Sequence, residues 1–264
     1  MREDALKALL DKKLAEYNRP FFIEDDPISV PHGYTAKADR EIAGFFAAIF
    51  AWGNRKTIIR KTLELMEAMD HAPHDFCLNH TERDRKKLLY FKHRTFQTTD
   101  LFYFLDFFQM HYRKHESLET AFLHRWKKSD ATVEQALSGF HDLFFSLTDV
   151  PDRTRKHVGT PIRGSACKRL NMYLRWMVRK DKYGVDFGIW NTIKTSQLVI
   201  PLDVHVMRVA HQLQLTDSKT ADWKSAVELT EKLRRFDSKD PVKYDFALFG
   251  MGVMENKVSF PKKK

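Results

Sequence analysis

Residues 164–179, GSACKRLNMYLRWMVR, and residues 201–210, PLDVHVMRVA, decide how this chain folds and what it can do. After the Gly-Ser pair the first stretch runs to Arg179 without a proline or a further glycine, which predicts a helix. At roughly 100° per residue, Cys167, Leu170, Tyr173, Leu174, Met177 and Val178 gather on one side. Lys168, Met172, Arg175 and Arg179 line the opposite side, with Asn171 beside them. Lys168 falls in the first turn. A helix start is electropositive and disfavours a cation, and that suits an amine nucleophile, which must shed a proton before it attacks. The same stripe is equally what the solvated face of an amphipathic helix looks like.

The second stretch is an apolar run, then Pro201, then Asp203, then a helical pattern through Val206, Met207, Val209, Ala210 and Leu213. Asp203 is placed as the N-cap of that helix, its carboxylate accepting backbone N–H bonds from the next turn. A carboxylate fixed at a helix start among apolar neighbours can also stabilise developing positive charge or take a proton from an amine.

Around these motifs the periodicity is helical. DALKALLDKKLAEYN opens as an amphipathic helix, and Pro20, Pro27 and Pro31 make the following PFFIEDDPISVPHGY an extended loop. KADREIAGFFAAIFAW is nearly all apolar after its first turn and predicts a central buried helix, broken at Gly53. NRKTIIRKTLELMEAMD restarts with Asn54 as N-cap. TDLFYFLDFFQMHYRKH, SLETAFLHRWKK and SDATVEQALSGFHDLFFSL each show three-to-four spacing. Residues 149–165 interrupt the pattern with Pro, Gly and basic residues and are expected to be an inter-lobe loop. No repeat and no convincing set of strands emerges. The expected fold is all-α, with about ten helices.

The 264 residues suffice for one domain built as two lobes, and 43% are hydrophobic, enough for a packed core. Phe occurs 21 times against 10 Gly and 9 Pro, which favours long packed helices over strands and turns. There are 45 Lys plus Arg against 35 Asp plus Glu, a net charge of +10 that attracts polyanions. Part of the excess, in RDRKK and the terminal PKKK, reads as solvated surface. The two cysteines, Cys77 and Cys167, form no CxxC and so no zinc ribbon or cysteine-ligated iron–sulfur cluster; their scarcity points to a reducing cytoplasm. MREDALKALLDKK lacks a signal-peptide apolar region, and the longest apolar run, IAGFFAAIFAW, is too short to span a bilayer. The expectation is a soluble, cytoplasmic monomer.

Together, GSACK and PLDVHVMRVA resemble the helix–hairpin–helix DNA glycosylase superfamily, the endonuclease-III-like enzymes. In that superfamily a Gly-containing hairpin leads to a catalytic Lys in the first turn of a helix, and a catalytic Asp follows in a V-D-x-H-V-x-R-V setting. The resemblance therefore puts the nucleophile on Lys168 and the catalytic aspartate on Asp203. It extends over residues 38–254: FFAAIFAWGNRKTIIRKTLELM looks like an early core helix and the turn after it, and DPVKYDFALFGMGV like the last core helix. Ala166 stands where the hairpin has its second glycine, and no LPG precedes it. The Lys-to-Asp spacing is closest to the archaeal 8-oxoguanine glycosylase branch, whose hairpin is also atypical. Lys180 and Lys182, nearer to Asp203 in sequence, stay open as alternative nucleophiles. The whole chain also resembles an uncharacterised bacterial family sharing KRLNMYLRWMVR and PVKYDFALFG.

What the resemblance implies is a two-lobed glycosylase fold and excision of a damaged base, with oxidised purine as the implied lesion. The lysine would attack the sugar and cut the strand through a Schiff base, with no cofactor and no metal. Damaged duplex DNA is the implied partner, bound by Arg163, Gly164, Arg175 and Arg179, with Trp52, Trp176 and Trp190 as candidate walls of a base pocket. Three rival readings stand beside it. The first is a nucleic-acid binder without catalysis. The second is a metal site on His111 and His115, which sit at i and i+4 but lack an evident third ligand. The third is a basic membrane-surface protein, for which no amphipathic anchor is apparent.

Overall fold

The computed structural model describes residues 2–254; the terminal PKKK lies outside the described residues. The chain is all-α, as its periodicity requires. Among the described residues there are fourteen α-helices and four 3-10 helices, and the only strands form one two-stranded hairpin. In order, the helices are α1 (Glu3–Tyr17), α2 (Phe21–Glu24), α3 (Ser29–His32), α4 (Lys37–Ile49), α5 (Arg55–Ala68), α6 (Pro73–Asn79) and α7 (Glu82–Lys87). After the hairpin strands β1 (Lys92–His93) and β2 (Phe96–Gln97) come α8 (Thr98–Tyr112), α9 (Glu119–Phe122) and α10 (Glu134–Phe144). The last four are α11 (Lys168–Val178), α12 (Val204–Gln212), α13 (Trp223–Arg234) and α14 (Asp245–Met254). The excess over ten consists of short pieces such as α2, α3 and α9, four residues each, too brief for a periodic pattern to register. Two of them, α2 and α3, fall in the proline-rich stretch expected to be extended. Proline is tolerated in a helix's first turn, and a single turn places few demands on it.

The chain divides into two compact units. One comprises residues 23–130 and 134–160, and is built on α4. Every residue of α4 from Glu41 to Ile49 is buried. Phe45 packs edge-on against Phe108 at 5.5 Å and against Phe140 at 5.6 Å, and Phe46 stacks on Phe104 at 5.9 Å. This is where the many phenylalanines are used: α4, α8 and α10 share one aromatic core, with offset and edge-on rings throughout. Glu41, fully buried, is the one polar residue in that buried stretch of α4. It accepts from Tyr112 Oη (2.9 Å), Ser117 Oγ (2.5 Å) and the Leu118 N–H (3.0 Å), so its charge is compensated by three donors. Residues 149–165 are not the open loop expected of them. Asp152–His157 and Pro161–Arg163 are 3-10 helices, and the first is tied down by buried Asp100, which accepts from Thr154 Oγ1 at 2.8 Å.

The other unit comprises residues 1–22, 131–133 and 161–264, so the chain enters it for the last time at Pro161, inside the 149–165 segment. Here α14 packs against both α1 and α12. Gly250 makes the first contact possible, because a Cβ there would lie 2.2 Å from the Tyr17 ring. This unit holds both α11 and α12. No helix among the described residues is long and apolar enough to cross a membrane.

Candidate active site

The entry to α11 is built by a tight turn. Gly164 has φ +74°, the left-handed region that favours glycine, and its N–H donates to the Pro161 carbonyl at 2.8 Å. Its own carbonyl accepts from the Trp223 N–H at 3.1 Å, and Ser165 forms a bridge with Asp222, which anchors the turn to the start of α13. Cys167, the N-cap, is also left-handed at φ +48°, with its N–H satisfied by Ser165 Oγ at 3.1 Å. The consequence is a helix that starts at Lys168, two residues after the Ala166 start that its sequence suggests. Lys168 is thus the first residue of α11, its amine leaving the helix where the backbone N–H groups are unpaired.

Asp203 caps α12 as its position in the sequence predicts. Its Oδ1 accepts from the His205 N–H at 2.9 Å and the Val206 N–H at 3.0 Å. The other oxygen, Oδ2, lies 3.9 Å from Lys168 Nζ, with the two side chains 20% and 23% exposed. That distance is an ion pair and not a hydrogen bond. The carboxylate therefore divides its work, one oxygen fixed by the helix and the other directed at the amine. Lys168 is the one cation at ion-pair distance from Asp203 among the described residues; Lys180 and Lys182 are not, and Lys182 instead lies over the Tyr183 ring.

A third group belongs to this site that sequence reading did not single out. Asp245, the first residue of α14, is buried, and its carboxyl is raised to about 6. Burial is the main cause; the neighbouring charges of Asp203 and Asp186 add to it, while Arg175 and Lys168 oppose it. Arg175 Nη1 donates directly to Asp245 Oδ2. The only sequence signal for Asp245 is an acid opening an otherwise apolar helix, PVKYDFALFG, which reads equally well as a plain helix start.

Arg175 and Arg179 do not lie on a solvated stripe. They are 4% and 3% exposed, and both are enclosed by carboxylates. Besides Asp245, Arg175 reaches Asp186 Oδ1 with Nε at 3.3 Å. Arg179 reaches Asp181 at 2.6 Å and Asp186 at 3.0 Å with Nη1, and Asp240 at 2.9 Å with Nε. Both guanidinium groups also lie over the Phe246 ring. Contact with an external phosphate is closed to them; Arg163 and Gly164 are exposed.

The tryptophans separate in the same way. Trp176 is fully buried and Trp190 is 1% exposed, packed edge-on against Tyr173 at 5.4 Å, so both are core. Trp52 is half-buried in the unit built on α4, against His93 and His157. His111 and His115 stack on one another at 4.8 Å, with the Nε2 of His111 set against the Ser117 carbonyl at 3.0 Å. No cluster of three or more metal-binding side chains occurs among the described residues. Burial drives the Cys167 thiol up to about 12 and raises that of Cys77 as well, so neither is a thiolate nucleophile.

No curated protein and no solved structure gives a significant match to this chain. A family profile does, over residues 26–254, which takes in α4 through α14 and all three residues of the site. The chain belongs to DUF2400, a family described as a protein of unknown function.

Proposed function

We propose that this protein is a DNA base-excision glycosylase with AP-lyase activity, acting through Lys168, Asp203 and Asp245. The observation that carries this reading is the division of Asp203, with Oδ1 held by the α12 backbone and Oδ2 facing an amine 3.9 Å away at the start of α11. A carboxylate needed only as a cap has no use for a lysine there, and a lysine needed only for solubility has no use for a place beside Asp203 and the buried Asp245.

In the reaction, Asp203 Oδ2 takes a proton from the Lys168 ammonium, and the free amine attacks C1′ of an extruded nucleotide. The C1′–N-glycosidic bond breaks, and the base leaves with the bonding pair and takes the proton that Asp203 had accepted, which returns Asp203 to a carboxylate. Positive charge that builds on the sugar is stabilised by Asp203, with Asp245 adding negative potential from the buried side. Opening of the sugar ring gives a Schiff base to Nζ. Loss of a C2′ proton then expels the 3′ phosphate and cuts the strand. Arg175 is a positioning residue: it holds Asp245 and does not touch the DNA. Exposed Arg163 at the turn is the phosphate partner on this side. The resemblance that assigns the lysine also assigns an oxidised purine as the lesion, and such a substrate places the protein with the chromosome.

The test is base release and strand cleavage on duplexes carrying 8-oxoguanine, uracil or an abasic site, with Lys168→Gln and Asp203→Asn beside the wild type. Cleavage of at least one substrate, lost in Lys168→Gln and reduced by about 10²-fold or more in Asp203→Asn, is the expected result. Equal activity in Lys168→Gln and wild type would overturn the assignment.

A further inference from the structure

We propose that residues 86–94, in the unit built on α4, form a surface for single-stranded nucleic acid, with Tyr90 as a base-stacking platform and Lys86, Lys92 and Arg94 as phosphate partners. This does not rest on the Lys168 chemistry and concerns a different unit of the chain. The starting observation is Tyr90, which is 94% exposed, next to Leu89 at 48%. A tyrosine almost wholly in water forgoes the burial that a ring this size normally finds. It is not there because the segment is loose. Leu88 and Phe91, which flank the pair, are 1% and 6% exposed, and Phe91 stacks on buried Phe50 at 5.7 Å. Thr98 Oγ1 donates to the Leu89 carbonyl at 2.6 Å. The two inward anchors and this bond hold the ring outward.

The hairpin that follows continues the alternation. His93 and Phe96 point in, and Lys92, Arg94 and Thr95 are exposed. Arg153 braces it from beneath, donating to the Thr95 carbonyl and to Gln97 Oε1, both at 2.8 Å. Arg94 sits in the hairpin turn at φ +53°, where Asn or Gly is at ease and arginine is strained. Its side chain lies along the backbone of Gly53, where a Cβ would come within 2.3 Å of Nη1, and the residue is nonetheless exposed. Lys86, Lys92 and Arg94 have no carboxylate partner among the described residues, whereas Lys87 next to them pairs with Asp84 at 3.4 Å and Asp70 at 3.5 Å. Unpaired cations on either side of an outward aromatic ring are the combination that grips a single strand: charge tracks the backbone and the ring takes a base. A membrane is the less suited partner, because Leu89 and Tyr90 are the only large apolar residues exposed on this segment.

The probe is a fluorescein-labelled oligothymidylate, with its duplex counterpart and vesicles of phosphatidylserine and phosphatidylcholine, titrated with the full chain by anisotropy and by co-sedimentation. Tyr90→Ala is expected to weaken single-strand binding by about tenfold and to affect the duplex far less. Arg94→Asn, which relieves the turn and so folds at least as well, combined with Lys92→Gln, is expected to lower the salt slope by about 1.4. Lys12→Ala, an exposed lysine elsewhere on the chain, is expected to leave both quantities unchanged. Binding within twofold of wild type in Tyr90→Ala, or an unchanged salt slope in the double variant, would overturn the proposal. So would Tyr90-dependent binding to the anionic vesicles in place of the oligonucleotide.

Discussion

Replacing Arg179 with Met removes a buried cation that three carboxylates share and keeps much of its volume. If Arg179 faced solvent and bound phosphate, the protein would barely register the loss, since exposed charges contribute about 0–1 kcal/mol. In the structure it is 3% exposed, and breaking a buried charge network by removing one partner costs about 3–5 kcal/mol. The orphaned groups are not equal. Asp186 keeps Arg175, and Asp181 keeps a bond from Asn18 Nδ2 at 2.5 Å. Asp240 loses its hydrogen-bonded cation, and burial already raises its carboxyl. The cost therefore falls at the low end, about 3 kcal/mol at neutral pH. With a urea slope of about 3 kcal/mol/M for a chain of this length, the midpoint drops by about 1 M. Two controls fix the cause. Asp240→Asn in the same background should return at least about 1 kcal/mol, because the stranded charge is gone. The deficit should also narrow as pH falls, since the folded variant takes up protons on carboxylates that wild type keeps ionised. Urea unfolding followed by circular dichroism at pH 7.5 and 5 measures all three. A loss under about 1 kcal/mol with native helicity would refute the burial argument and return Arg179 to the surface.

Asp245→Asn tests the buried half of the site. The folded carboxyl titrates at about 6, above its unfolded value of 3.8, so the native state binds the extra proton and wild type loses stability at this group as pH rises through that window. The shift is worth about 3 kcal/mol, and the amide variant, which cannot ionise, should gain on wild type by up to that amount between pH 4 and 7. Parallel urea midpoints across that range would contradict it. Gly250→Ala should cost about 1–3 kcal/mol, because its Cβ meets the buried Tyr17 ring and α1 and α14 must part. Gly164→Ala should cost about 1–2 kcal/mol by backbone strain alone, since nothing lies within 4 Å of its Cβ position. Thermal melts rank the two, and a larger loss at Gly164 would reverse the reasoning.

Much of the architecture is legible where one pattern runs unbroken. The apolar continuity of residues 42–50 marks α4 as the centre of its unit, and Asn54 and Asp203 announce their helices because capping is a local event settled within three residues. SLETAFLHRWKK has the right spacing for a helix and forms only one turn, α9, because periodicity shows which face would be buried and not whether a helix partner lies alongside. The hairpin at 92–97 escapes for the opposite reason: strands of two residues carry no period. At the site, Lys168 and Asp203 are visible as separate helix starts, and their approach is set by tertiary packing. Arg175 and Arg179 misled for a physical reason. A basic face on a helix is solvated unless acids arrive from elsewhere, and here they come from Asp186, Asp240 and Asp245, up to 70 residues away.

The most direct measurement of the central claim is borohydride reduction of the protein on abasic-site DNA, followed by mass spectrometry of the trapped adduct. A reduced Schiff base on the tryptic peptide carrying Lys168, absent from Lys168→Gln and still formed by Arg179→Lys, is the expected result. An adduct on Lys180 or Lys182, or none on any lesion substrate from a correctly folded protein, would contradict the assignment of Lys168 as the nucleophile.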